Sequence, residues 1–505
     1  MGIAASMNQI PSNLNVRLFT AELDRRGTSP GGQAYKTLLI GQRVTSQGSA
    51  TANVPVVVGS YADAQAKFGI GSNLAHMFER YQQNDPSAEI WCVPLADGAG
   101  VAATGTITIT GTATQAGTIS ILIGGRPIRS SSANVGVGVA IGDTGVGAGG
   151  IADDINTAIN ADSTLPVTST VVTGTGVITL TAKHLGTIGN QIDVRANYAT
   201  GQFTPAGITT AIVAMASGAT DPSFATALTN IASMDFRFIV QPYNDHTNLN
   251  LFATELESRW DATRGLPTTL YSAFSSTYGS AVTYAASRNS PFESIPCLYA
   301  SPMPPYETAC AYAGQVAKSV RTHSVVPTTG RVLKGILAPL PSVRFSATER
   351  NTLAGLGIAT LLVNDNNEVA IEAPFTTYLT DVNGASDRTF QSVHAVLTCA
   401  YLITDLRTII LANAGQKILV ADASLVAPGT PAVDPATIKG WLVGRYKQLV
   451  SSAHVQDVET FIAMTTVEIN ADNPNRVDVL YAPCLAGQLN VLALLVRPFL
   501  RYPGE

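Results

Sequence analysis

Between residues 98 and 198 the chain turns to Gly, Thr, Val and Ile, and polar and apolar residues alternate in Thr106-Ile107-Thr108-Ile109-Thr110 and again over residues 118–123. Residues two apart lie on one side of a strand, so each run has a face to bury and a face to expose. Gly111 and Gly124-Gly125 punctuate the runs, one helix is expected at 151–160, and strand character returns at 177–181 and 191–195. Helices cannot absorb such a block. It reads as a β-rich domain inserted between its flanks.

Those flanks are α/β. Upstream, residues 38–40 and 56–58 read as buried strands, 62–81 as a helix broken around Gly69-Ile70-Gly71, and 89–93 as a strand. After Ser217, strands at 236–240, 268–271 and 295–299 alternate with helices at 249–260 and 306–320, and further helices are expected at 348–355, 393–411, 435–452 and 455–464. Alternation of this kind argues for a layered sheet covered by helices. Isolated strands stand at both ends: residues 14–19, where Leu14, Val16 and Leu18 share a face ahead of Phe19, and residues 490–496, which include Val491, Leu492, Leu494 and Val496. The expected fold is an α/β core domain with an inserted β-rich domain and extended N- and C-terminal strand arms. Its parts are an arm at 1–30, core at 31–97, insert at 98–200, core with C-terminal helices at 201–485, and an arm at 486–505.

Charge limits what surrounds this fold. The 505 residues carry 30 Lys+Arg and 35 Asp+Glu, so 13% are charged and the net charge is −5. That is about half the usual globular share of roughly 25%. So little charge does not keep copies apart, and much of the surface is expected to be covered by other subunits in a large assembly. No basic cluster marks a nucleic-acid binder. The longest uninterrupted apolar runs, such as residues 491–496, fall short of the roughly 20 residues of a spanning helix, so no membrane insertion is expected. Residues 1–6 lack the basic and apolar regions of a leader; Gly2 and Ser6 match a short myristoylation pattern, but a flexible start is the plainer reading.

Chemical motifs are weak. Gly145, Gly147 and Gly150 match Gly-x-Gly-x-x-Gly ahead of an expected helix, without the acidic residue that should close a second strand; an ordinary loop leading into a helix is preferred. His76, His184, His246, His323, His394 and His454 are scattered without metal-ligand spacing, so neither metal nor cofactor is expected. Asp245-His246 offers two members of a hydrolase triad, but no Gly-x-Ser-x-Gly elbow accompanies it, and a polar turn is preferred. Cys92, Cys297, Cys310, Cys399 and Cys484 suit buried thiols folded in a reducing cytosol. Cys484, beside the C-terminal strand, is the candidate for a thiol bridging subunits. No catalytic residue is assigned.

Six ordered strings are more specific: IPSN at 10–13, TAKHLGTIGN at 181–190, SRNSP at 287–291, FSATERNTL at 345–353, YLITDLR at 401–407 and NPNRVDVL at 473–480. Through them the chain resembles, over nearly its whole length, the contractile-tail sheath proteins of Mu-like myophages. The resemblance implies a non-enzymatic subunit of the virion tail, assembled in the bacterial host cytoplasm. Such subunits polymerise around a tail tube as stacked rings in a metastable extended state, then contract to drive the tube through the host envelope. The implied partners are further copies of the chain in a helical homo-oligomer, the tail tube protein, and baseplate and tail terminator proteins, with no direct nucleic-acid contact.

The resemblance also places the insert outward and has terminal arms link neighbours by strand addition, which assigns Leu14, Val16, Leu18, Phe19, Val491, Leu492, Leu494 and Val496 to a shared sheet. Head-to-tail contacts that do not close then generate an open helix. For the tube contact it points to C-terminal helices. There Ile438, Trp441, Leu442 and Leu449 share an apolar face, and Lys439, Arg445 and Lys447 are candidates to meet an acidic tube; a solvated helix face is the alternative. The chain departs from basic-rich relatives in having only Lys417 between Arg407 and Lys439. Two other readings stand beside this one: a tube or capsid subunit, and a subtilisin-like hydrolase, for which neither the serine setting nor the histidine motif is found.

Overall fold

Leu38-Leu39-Ile40 carries no polar side chain, so it suits a strand covered on both faces, and it forms the middle of a six-stranded sheet. The computed structural model describes residues 35–128, 139–141 (backbone only), 147–414, 417–427, 429–490, 492–496 and 498. Its first elements are β1 (Lys36–Gln42), β2 (Val56–Val57), α1 (Tyr61–Phe68), α2 (Asn73–Asn84) and β3 (Glu89–Leu95). Ser60 caps α1 and Ser72 caps α2, each accepting a backbone N–H of the first turn. Between them Gly71 has φ +77°, and a Cβ there would lie 2.6 Å from the Leu165 carbonyl oxygen of the insert. Of residues 56–58 only Val58 is buried, because β2 is a two-residue edge with solvent on one side.

The insert contains β4 (Ala102–Gly111), β5 (Gly117–Ile119), β6 (Ile121–Ile123), β7 (Arg126–Pro127), β8 (Val139–Ile141), α3 (Ala148–Ala161), β9 (Val167–Val171), β10 (Val177–Leu185), β11 (Val194–Ala196) and β12 (Ile208–Ala216). An antiparallel sheet runs in the order β12-β4-β10-β9. Ile107, Ile109, Ile178 and Leu180 face inward from it, and Ile151, Ile155 and Ile159, four apart on α3, supply the other half of a separate core. The run at 118–123 divides into β5 and β6, which pair with β8 and with β7 and β11. Strand begins at Val194 rather than 191 because residues Thr187–Gln191 form a 3₁₀ turn. The insert's sheet also extends past residue 200: β12 is an edge strand with Thr209, Ala211 and Val213 facing out, so its apolar alternation is diluted.

The first sheet is completed by α4 (Ala225–Ile231), β13 (Phe238–Val240), α5 (His246–Trp260), β14 (Thr269–Tyr271), α6 (Tyr278–Ala285) and β15 (Glu293–Ser294). Its order is β15-β14-β13-β1-β3-β2, parallel except for β2. A second sheet, β16-β18-β19-β17, uses β16 (Pro296–Cys297), β17 (Val332–Leu337), β18 (Ala359–Val363) and β19 (Glu368–Ala373), with α7 (Pro305–Thr322) and α8 (Ala347–Gly355) between its strands. One hydrophobic core runs through both sheets.

The C-terminal third holds α9 (Val393–Ala414), β20 (Ile418–Leu419), β21 (Ala432–Val433), α10 (Pro435–Ser451), β22 (Val455–Gln456), α11 (Val458–Met464), β23 (Thr466–Ile469), β24 (Val477–Leu480) and β25 (Cys484–Leu485). Val393 and Leu397 enter the main core, but the later residues form small cores of their own, one around Tyr446, Leu449 and Phe461 and one around Ile438 and Leu442. The helix expected from 455 starts at Val458, because β22 pairs with β25 first and Asp457 then caps the helix with φ +58°.

Two expectations are corrected. By length and composition α9 is long and apolar enough to cross a membrane, which an uninterrupted-run criterion misses because Asp405 and Arg407 break the run. Its first half is packed inside the protein through Val393, Val396, Leu397 and Ala400. The C-terminal strand is absent from the single chain: Leu492, Leu494 and Val496 are exposed and unpaired. A strand exists only where a neighbouring edge takes up its N–H and C=O groups, and no edge among the described residues does so. Val491 lies outside the described residues, as do Leu14, Val16, Leu18 and Phe19.

Candidate functional site

The hydrolase pieces do not assemble. Asp245 spends its carboxylate on the start of α5, accepting from the Asn248 backbone at 2.9 Å and side chain at 2.7 Å. His246 Nε2 lies 3.0 Å from Ser287 Oγ, but that hydroxyl donates to the Tyr284 carbonyl at 2.8 Å, so its proton is committed away from the imidazole. Gly147 sits at the N-cap of α3 with room for a Cβ, Gly150 lies inside the helix, and Gly145 is outside the described residues. The preceding strand β8 pairs antiparallel with β5, unlike a dinucleotide-binding unit. Among the described residues no group of three His, Cys, Asp or Glu could hold a metal.

The resembling strings instead build joints. In residues 181–190, His184 Nε2 accepts the Asn73 N–H at 3.0 Å while its Nδ1 donates to Asp97 at 3.1 Å. Gln42 donates to the Leu185 carbonyl at 2.8 Å, and the Thr187 N–H reaches Asp221 at 2.6 Å. That string therefore fastens the insert to the α/β core. In residues 287–291, Arg288 grips the fully buried Glu293 through two bonds of 2.8 and 2.5 Å. Residues 345–353 carry a capping box between Ser346 and Glu349, and Arg350 reaches Glu372 at 2.8 Å. Residues 473–480 form the turn and second strand of the β23–β24 hairpin, which leaves Val479 and Leu480 exposed. Sequence reasoning missed this hairpin; Val477 and Val479 flanking Asp478 are its faint signal.

The proposed tube helix, α10, starts at Pro435 behind Asp434, whose carboxylate accepts from the Thr437 and Ala423 N–H groups and is pulled down to about 2. Ile438, Leu442 and Leu449 are buried as expected, and Trp441 is half-buried. The three cations differ. Arg445 is paired within the chain, its guanidinium meeting Asp405 of α9 at 2.9 and 2.6 Å. It is therefore not a free cation, because Asp405 neutralises it from 40 residues away in sequence. Lys439 is half-buried and Lys447 exposed, and among the described residues neither forms an ion pair. Lys417 lies 5.2 Å from the Trp441 ring centre, a cation–π contact that spacing alone does not reveal.

Cys92, Cys297 and Cys310 are buried, Cys399 is mostly buried, and Cys484 is exposed at the start of β25. Leu489, Leu492, Leu494, Leu495 and Val496 follow it at 75, 80, 79, 75 and 70% exposure. This is the densest uncovered apolar stretch among the described residues.

No protein-family model matches the chain. The tail sheath protein of the Mu-like prophage FluMu in Haemophilus influenzae is 33% identical over 498 residues, covering 98% of this chain and 99% of that protein. Among solved structures, the sheath tail protein of Listeria innocua is 14% identical with a TM-score of 0.48, covering 90% of this chain and 92% of that one. The sheath tail protein of Desulfitobacterium hafniense is 12% identical at 0.47, covering 93% and 99%. A chain of the anti-feeding prophage baseplate is 10% identical at 0.47, covering 92% and 94%. With one-third identity along almost the full length of both sequences, the chain belongs to the tail sheath proteins of Mu-like phages, structural components of the tail and not enzymes.

Proposed function

We propose that the subunit polymerises around a tail tube in a metastable extended state, and that a shift to a second packing drives the tube through the host envelope. The observation that carries this reading is the uncovered C-terminal segment. Five large apolar side chains in water between positions 489 and 496 require a cover. An extended segment is covered most directly by adding as a strand to the next copy's sheet edge. The linking residues are Leu14, Val16, Leu18 and Phe19 at one end and Val491, Leu492, Leu494 and Val496 at the other. Contraction is then a rigid-body change between two packings, with the arms preserving connectivity.

The partners in this reading are further copies in stacked rings, the tail tube protein, and baseplate and tail terminator proteins, with assembly in the bacterial host cytoplasm. Lys439 and Lys447 face the tube, Arg445 supports them through Asp405, and Cys484 is placed to meet a neighbouring subunit. Arms at 1–30 and 486–505 flank a core at 31–97 and 201–485. The outer insert at 98–200 takes β12, from the start of the 201–485 segment, as the edge strand of its sheet.

Electron microscopy of the recombinant chain tests this. Tubes are expected from the full-length protein, and folded particles without tubes from variants lacking residues 1–20 or 489–505. Tubes from either truncation would reject that arm's role.

A further inference from the structure

The C-terminal helices meet the α/β core at the loop that follows α7, residues 323–328, and three histidines build this seam. His323 ends α7 and lies tilted against His454 with ring centres 3.9 Å apart; His454 stacks on Tyr401 of α9 at 4.6 Å. His394, near the start of α9, bonds the Ser324 carbonyl at 2.9 Å and the Thr328 hydroxyl at 3.2 Å, and Thr398 reaches the Ser324 hydroxyl at 3.1 Å. Gln488 donates to the Val325 carbonyl at 2.8 Å, and the Ala486 N–H donates to the His454 carbonyl at 3.2 Å. The root of the C-terminal segment is thus tied to the same loop.

Bonding assigns donor and acceptor roles to the ring nitrogens. His323 Nε2 faces the Ser452 carbonyl at 2.6 Å and must carry the proton, while Nδ1 accepts the Val325 N–H at 3.2 Å. Both ring nitrogens are thereby satisfied, one as donor and one as acceptor. His394 Nδ1 likewise carries its proton toward Ser324, and His454 Nδ1 meets Ser452 Oγ at 2.9 Å. A charge on His454 would face His323 and Arg445. Asp405 is the carboxylate acting on it, and both its oxygens are already held by Arg445. Arg331 is the charge acting on His394. Burial, seconded by these cations, holds both His394 and His454 down to about 4.

We infer that His323, His394 and His454 form an acid-sensitive seam with residues 323–328, closed while His394 and His454 are neutral and opened when these two take up protons. Acidification then releases α10, β22, β25 and the root of the C-terminal segment from an α/β core that stays folded. The inference does not depend on the contraction reading.

Hydrogen exchange on the full-length chain between pH 7.5 and 4.5, corrected for intrinsic rates, tests it, with β1, β13 and β14 as internal reference. Two protons taken up on opening imply that the open fraction of residues 435–490 rises about 100-fold per pH unit below about pH 6 and at every pH stays well above that of the reference strands, which exchange through global unfolding. His454→Phe keeps an aromatic ring in the stack but cannot be protonated, and is expected to reduce the rise to about tenfold per pH unit. Adding His394→Asn, which retains an N–H for Ser324, is expected to flatten it. A flat wild-type profile, an open fraction of residues 435–490 no larger than that of the reference strands, or an unchanged slope in His454→Phe overturns the seam. Should that variant fold poorly, the wild-type profile and the milder His454→Gln decide in the same way.

Discussion

Glu307 and Arg126 form an ion pair between the two larger cores: Oε1 of Glu307, fully buried on α7, lies 2.5 Å from Nη1 of Arg126 on β7 of the insert. The second carboxylate oxygen takes Nε of Arg80 at 2.6 Å, and Glu79 approaches Arg126 and Arg80 at 3.3 and 3.9 Å. Two carboxylates balance two guanidiniums where water has little access. Burial opposes the charge on Arg126, but Glu307 more than offsets it, so the guanidinium holds its proton more firmly than an ordinary arginine. Together with the bond from Arg195 to the Ala300 carbonyl at 2.7 Å, this network couples the insert to the core.

Glu307→Gln keeps the shape and removes one charge, leaving two guanidiniums opposite a single carboxylate. Removing one partner of a buried pair typically costs about 3–5 kcal/mol, because the remaining charge is buried unpaired. Urea unfolding of the variant is expected to show a loss of that order, with earlier proteolysis inside residues 102–216. A loss below about 1 kcal/mol would mean that the network has little stabilising effect.

Local pattern carries most of the fold. Alternation at 106–110 gives β4, and Ser346 followed by Glu349 announces α8 through its capping box. Pairing across distance is not encoded locally. Nothing around Arg445 signals that Asp405 neutralises it, so a cation count reads it as free. The segment at 490–496 has strand composition, but its conformation depends on a partner that a single chain does not supply. Residues 181–190 are recognisable as a string long before their purpose is, because His184 and Leu185 act on Asn73 and Gln42, over 100 residues away.

His76 offers an acid test of global stability. It is fully buried on α2, donates from Nε2 to the Thr164 carbonyl at 2.9 Å, and has no partner at Nδ1. Burial, reinforced by Arg126 and Arg80, holds it well below the usual histidine range. The folded value lies below the unfolded value of about 6.5, so the unfolded chain binds the extra proton. The contribution is therefore intact above about pH 6.5 and declines as pH falls, by about 1.4 kcal/mol per pH unit for this one group. His76→Gln is expected to lower stability at pH 7.5 and to remove one proton from the slope of urea stability against pH. An unchanged slope would assign the proton elsewhere.

Thiol reactivity separates Cys484 from the other cysteines. Burial pushes Cys297 up to about 12 and Cys399 up to about 11, and holds Cys92 and Cys310 well above the ordinary thiol value. The thiolate is the reactive form, so these four are expected to react only on unfolding. A chromogenic disulfide reagent should therefore titrate one fast thiol per native chain, and Cys484→Ser should abolish that phase. A fast phase surviving in the variant would show that a second thiol is accessible.

Two of the three cations that spacing grouped on α10, Arg445 and Lys447, are expected to behave differently. Arg445→Ala breaks the two-bond contact with Asp405 and the 2.7 Å bond to Gln448, and leaves the largely buried Asp405 carboxylate without its partner. Because the arginine is partly exposed and screened, a loss of about 1–2 kcal/mol is expected in urea unfolding. Lys447→Glu changes only an exposed side chain, so its stability should stay within about 0.5 kcal/mol of the parent while tube binding by the assembled protein is lost. Stability falling equally in both variants would place Lys447 in the packing of the C-terminal helices, whereas unchanged tube binding in Lys447→Glu would remove it from the tube contact. Because Arg445 acts through Asp405, its effect on tube binding should be reproduced by Asp405→Asn, which weakens the same contact from α9 without altering any residue of α10.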